Sequence, residues 1–134
     1  MMHSPVNLME SLRISDVASA RALFRPLAGL PRETVAFAYL GDDERLLGIR
    51  HLAPGAADWA RVPMREMARD AIAFDASAVV MAHNHPSGDA TPSAQDLTVT
   101  RRIVLALEAL GLRLSDHLVL AGDRFTSLRA LGIL

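Results

Sequence analysis

Two histidines, one residue apart, stand where an apolar run ends: Ala78-Val79-Val80-Met81-Ala82 is followed by His83-Asn84-His85. The run reads as a buried strand. If the chain is still extended there, both imidazoles turn to one side, because side chains alternate along a strand. A turn-rich segment follows, punctuated by Pro86, Gly88 and Pro92, and then Ser93 and Asp96 open a long amphipathic stretch. Two imidazoles and a carboxylate are the usual protein share of a catalytic zinc site, with the fourth position left to water. His83, His85 and Asp96 are therefore the candidate metal ligands. Each residue also has a bland role. Paired histidines can be satisfied polar groups of a loop, and Ser-x-x-Asp before an apolar helix is a capping box. Capping and ligation are compatible, since Ser93 at the cap and Asp96 one turn on aim the carboxylate back at the loop. Capping alone leaves the histidine pair unexplained, whereas a shared metal accounts for all three residues.

Holding these residues requires a strand, a loop and a helix within a larger frame. Residues 1–14 show no periodicity and read as a loose arm. Asp16 can cap a helix from Val17 to about Leu27, with Gly29 as its stop, although Pro26 argues for an end one turn earlier. Thr34–Leu40 is β-rich and reads as a central strand, Gly41–Glu44 as a hairpin turn and Arg45–His51 as the returning strand. Ala53–Arg61 is a Pro/Gly/Ala loop containing Trp59, and Pro63 fits the first turn of a helix from Met64 to about Phe74. On that helix Arg65, Glu66, Arg69 and Asp70 are expected on wet faces, with Met67, Ala71 and Phe74 facing inward. A helix from Ser93 to Leu110 stops at Gly111, with Leu97, Ile103, Val104, Leu107 and Leu110 in helical period. Leu112–Ala121 reads as a strand, Gly122-Asp123 as a break, Arg124–Thr126 as a short strand, and a terminal helix is expected from Ser127. This order predicts an α/β (α+β) domain, one sheet with helices packed on its faces.

Composition narrows the classes. A chain of 134 residues is one domain of ordinary size, and with 51% hydrophobic but only 4% aromatic residues its core should be Leu, Val, Ile, Ala and Met. The absence of cysteine removes disulfides and thiolate metal sites and fits a reducing cytoplasm. The N-terminus lacks the basic and apolar regions of a secretory signal, and no apolar run reaches bilayer length, so a cytoplasmic chain without a membrane span is expected. The net charge is -1 and all 14 basic residues are scattered arginines, which does not support nucleic-acid binding.

The pattern His-x-His, seven residues, Ser-x-x-Asp resembles the JAMM motif of MPN+/JAB metalloproteases. The words HNHPSGD and TPS, together with Ser115-Asp116-His117-Leu118-Val119 and Val62-Pro63-Met64-Arg65-Glu66, are similar to the RadC-type branch. The resemblance covers about residues 30–134. It leaves the N-terminal arm and helix over 1–30 outside and implies a single JAB/MPN domain, cytidine-deaminase-like, over 31–134. It implies a zinc-dependent metallopeptidase or isopeptidase with a peptide or protein substrate. Glu33 stands where JAMM domains carry their glutamate and would be the base; its bland role is a solvated acid at a strand start. Glu44, in a hairpin turn, and Glu66, on a helix away from the motif, are poorer candidates. Ser93 would donate to the oxyanion, or serve only as the N-cap. Of Asp116 and His117, Asp116 is the expected holder of a ligating imidazole, since a carboxylate fixes the tautomer. Asn84, Pro86 and Gly88 are assigned to loop shape, with Gly88 left-handed.

Other functions stay open at this point. RadC-type proteins carry a DNA-repair name, so a metal-containing, non-catalytic accessory module is the alternative. In that family the JAB domain usually follows a helix-hairpin-helix segment, and the first 30 residues are too short for one. A two-His-one-carboxylate iron oxygenase shares the ligand types, which alone do not choose a metal. A zinc deaminase is excluded because it needs cysteines.

Overall fold

The structure is a computed structural model that describes residues 12–52 and 64–134. The start of the expected arm, the loop with Trp59, and Pro63 lie outside the described residues. Residues 12–14 are not loose: Ile14 N donates to Glu44 O (2.9 Å), Leu46 N donates to Leu12 O (2.9 Å), and Ile14 is buried.

Helix α1 spans Val17–Phe24, with Asp16 capping it through Ser19 N at 2.8 Å. It ends at Phe24 rather than Leu27 because Pro26 has no N–H to continue the ladder, and Arg25–Gly29 tightens into a 3-10 turn. The remaining elements are β1 Val35–Leu40, β2 Leu46–His51, α2 Met64–Ala73, β3 Ala78–Asn84, α3 Ala94–Ala109, β4 Arg113–Ala121 and β5 Arg124–Ser127. They form one five-stranded sheet in the order β2-β1-β3-β4-β5. β1 runs antiparallel to β2 and β3, β3 and β4 are parallel, and β5 returns antiparallel to β4. Parallel neighbours need a crossover longer than a turn, and α3 supplies it. The mixed sheet with helices against it is the expected α+β fold.

Alternation along the inner strands sets the layers. Val35, Phe37, Tyr39, Val79 and Met81 share a core with Met67 and Ala71 of α2 and with Val99, Ile103 and Leu107 of α3. Ala36, Ala38, Leu40, Val80 and Ala82 share the opposite core with Ala20, Phe24 and Leu27. The same period places His83, two residues beyond Met81, on the α3 side of the sheet.

Three expectations need correction. No terminal helix follows Ser127. β5 runs through that residue, Leu128 N still donates to His117 O (3.0 Å), and only turns remain before the end. The main chain stays tied to β4 where a first helical turn would have to begin. Phe74 lies past the end of α2 and is 42% exposed, its ring tilted against Tyr39 with centroids 5.5 Å apart. Asp70 is not on a wet face: it accepts from Tyr39 Oη (2.8 Å) and from Arg50 Nη2 (2.8 Å), tying α2 to β1 and β2.

Candidate metal centre

Strand register brings the first two groups together. Val35 of β1 pairs with His83 of β3, so Glu33, just ahead of β1, arrives beside the His83 imidazole. Beyond β3, His85 N donates to Leu120 O of β4 (2.7 Å), which keeps the chain extended. Both imidazoles therefore fall on one side, ring centroids 4.7 Å apart, as the spacing predicts. The loop then turns through Gly88, at φ +88°, a conformation that favours glycine. Thr126 Oγ1 holds Ala90 O at 2.7 Å, tying the loop to β5.

The start of α3 brings the third group. Asp96 N donates to Ser93 Oγ (3.0 Å) and Ser93 N donates to Asp96 Oδ2 (2.8 Å), a complete capping box. The box aims the carboxylate at the histidines: Asp96 Oδ1 is 3.3 Å from His83 Nε2, and Oδ2 is 3.2 Å from His85 Nε2. Glu33 Oε1 is 3.9 Å from His83 Nε2, and the two Nε2 atoms are 2.9 Å apart. Glu33, His83, His85 and Asp96 each offer a ligand atom, all within 4.8 Å of one another. His83 and Asp96 are buried, while His85 and Glu33 are partly exposed, so the cluster opens to solvent on one side. Glu44 sits in the hairpin turn at the other end of β1 and Glu66 on α2; neither belongs to this cluster.

The donor set fits a cation. His85 Nδ1 lies 2.8 Å from the Asp89 main-chain carbonyl, which can only accept, so Nδ1 carries a proton and Nε2 is the ring atom turned inward. A second Nε2 and two carboxylates face it, and such crowding calls for positive charge between them. Imidazoles with carboxylates suit zinc and other borderline divalent ions. Burial alone would raise the Asp96 carboxyl; its contact with the His83 ring and the hydrogen bonds of the Ser93 capping box outweigh it and hold Asp96 well below the usual carboxylate range. It is ionised at neutral pH, as a ligand must be.

Sequence reasoning misplaced two residues around the centre. Asp116, the expected partner of a ligating imidazole, is buried but turned elsewhere. It accepts from Ser127 Oγ (2.5 Å), from Arg129 N (3.1 Å) and from its neighbour His117 N (2.7 Å). His117 takes that place instead, its Nε2 2.7 Å from His83 Nδ1 and its Nδ1 2.6 Å from Thr100 Oγ1 of α3. Complete burial holds His117 well below the ordinary histidine range and therefore neutral. Asn84, assigned only to loop shape, is a clamp. Its Oδ1 accepts from Thr34 N (2.6 Å) and its Nδ2 donates to Leu30 O (3.2 Å) and Arg32 O (3.1 Å), bracketing Glu33. Alternation was the available signal: the residue between two inward imidazoles points to the opposite, buried face, where an amide must find partners.

A mixed α/β sheet here carries a His-His-Asp cluster with a glutamate beside it, a group that could hold a metal ion. Residues 14–133 match the family model for the RadC-like JAB domain, and the chain belongs to that family. It is similar to the UPF0758 protein YeeS of Escherichia coli strain K12, 36% identical over 133 residues, covering 99% of this chain and 87% of that protein. The UPF0758 protein YfjY of the same strain is 41% identical over 108 residues, 81% of this chain and 68% of that protein. A UPF0758 protein of Moorella thermoacetica is 41% identical over 105 residues, 78% of this chain but 46% of its own length. The chain thus spans about half the length of some relatives it matches.

Proposed function

We propose that this chain is a zinc-dependent metallopeptidase of the JAMM type that hydrolyses a peptide or isopeptide amide. The observation that carries this is the convergence of Glu33, His83, His85 and Asp96 within 4.8 Å at one partly open site. His83, His85 and Asp96 would hold the ion. When bound, zinc supplies Lewis acidity, polarising a carbonyl and lowering the pKa of water towards ~7. Glu33, its side chain 37% exposed and 3.9 Å from His83 Nε2, stands at the open side of the site. It takes the proton as the water oxygen attacks the carbonyl carbon, and returns it to the amine as the carbon–nitrogen bond breaks. The Ser93 oxygen accepts from Asp96 N, which leaves its hydroxyl hydrogen to donate to the oxyanion.

Metal content and cleavage of a peptide panel, measured for wild type, His83→Ala and Glu33→Gln, test this. The expected result is one zinc per chain in wild type, zinc lost from His83→Ala, and zinc kept but turnover lowered by roughly 10²–10⁴-fold in Glu33→Gln. Stoichiometric zinc with no glutamate-dependent cleavage of any substrate contradicts the proposal.

A further inference from the structure

The contacts behind His83 form a closed circuit. Thr100 Oγ1 lies 2.7 Å from Asp96 O and 2.6 Å from His117 Nδ1, and His117 Nε2 lies 2.7 Å from His83 Nδ1. His83 Nε2 then meets the Asp96 carboxylate at 3.3 Å, so the circuit begins and ends on one residue. A direction follows from the donor inventory. A main-chain carbonyl can only accept, and two oxygens 2.7 Å apart repel unless a hydrogen lies between them. The one hydroxyl hydrogen of Thr100 therefore points at Asp96 O, and its oxygen must accept from His117 Nδ1–H. In a fully buried, neutral ring His117 Nε2 is then a lone pair, and His83 donates Nδ1–H to it.

We infer that Thr100 and His117 are positioning residues forming a one-way hydrogen-bond chain that holds His83 with its proton on Nδ1 and its lone pair on Nε2, facing Glu33, His85 and Asp96. Run the other way, the chain would place a proton on His83 Nε2 and block ligation. The chain is built without a carboxylate. Spacing supports the arrangement: Thr100 lies four residues after Asp96, on the same face of α3, so one helix carries both a proposed ligand and the start of the chain that orients another. The inference deepens the proposed metal site and rests on it for its effect on affinity, but not for the tautomers.

Two measurements test it. Long-range ¹H–¹⁵N NMR of the histidine rings in the metal-free protein should show the Nδ1–H form for His117 and a proton on Nδ1 of His83. Competition with a chromophoric chelator should show zinc affinity falling roughly 10–100-fold in Thr100→Val, which keeps the shape of the side chain and loses the hydroxyl. Thr100→Ser, which restores the hydroxyl, should bind like wild type. A wild-type spectrum with His117 protonated on Nε2, or unchanged zinc affinity in Thr100→Val, overturns the inference. If wild type binds no zinc, the proposed metallopeptidase fails while the spectrum still decides the chain. If Thr100→Val does not fold, the wild-type spectrum and Thr100→Ser decide it.

Discussion

Asn84 makes contact with main-chain groups on both sides of Glu33, so changing its amide separates placing the base from holding the metal. Asn84→Asp sets a carboxylate against the carbonyls of Leu30 and Arg32, which an amide nitrogen now satisfies. Turnover should fall by about 10²-fold through misplacement of Glu33, with zinc content unchanged; equal turnover in assays of the variant and wild type would show that Glu33 needs no such clamp. Ser93 separates two roles. Ser93→Ala should cost ~1 kcal/mol of stability in urea unfolding through the lost cap, and turnover should drop by roughly 10²–10³-fold as an oxyanion donor disappears. A stability loss with unchanged turnover confines Ser93 to capping. At this scale the sequence was legible where placement depends on spacing along the chain, as for the convergence of His83, His85 and Asp96 and the capping box of Ser93. It was opaque where they depend on which strand neighbour turns inward. Asp116 and His117 are adjacent, and only the register of β4 against β3, with its irregularity between Val79 and Val80, settles which one reaches His83.

Asp70 shows how the elements are joined. The Arg50 hydrogen bonds lower its carboxyl below the usual range, burial opposes this, and the Tyr39 hydroxyl lowers it further. Burial in turn pushes the Tyr39 phenol far up, with Asp70 adding to the shift, so the hydroxyl stays protonated and donates. A carboxyl depressed in the folded state contributes stability above its unfolded pKa of about 3.9, and that contribution is lost as pH falls through the lower folded value. Urea midpoints of wild type and Asp70→Asn should therefore differ near neutral pH and converge below about pH 4; a constant gap contradicts the link. Across the same corner, a Cβ on Gly48 would come within 2.5 Å of the Phe74 ring. Gly48→Ala should destabilise by ~1 kcal/mol as the ring is displaced, and by close to nothing in a Phe74→Ala background, read as a double-mutant cycle of melting curves. The element pattern was legible where a period of two or a cap marks it, as in β1, β3 and α3. It failed where tertiary ties override local preference. Ser127–Leu134 carries the apolar spacing of a helix, yet β4 holds its first residues in strand pairing.

The whole molecule is a RadC-like JAB domain whose sheet and crossover helix bring a strand end and a helix start together. Among the described residues no helix is long and apolar enough to cross a membrane. The matched region spans about half the length of some relatives, so the substrates of a longer protein are a matter for proposal. If the site binds zinc only when folded, saturating zinc must stabilise the fold. At 100 times the dissociation constant the gain is about 2.7 kcal/mol, seen as a raised melting temperature in wild type and absent in His83→Ala. The most direct measurement is a crystal structure with anomalous scattering recorded at the zinc edge. The account predicts one peak within about 2.0–2.2 Å of His83 Nε2, His85 Nε2 and an Asp96 carboxylate oxygen, with Glu33 beside the open position. No peak there, with the two imidazoles turned apart, would contradict it.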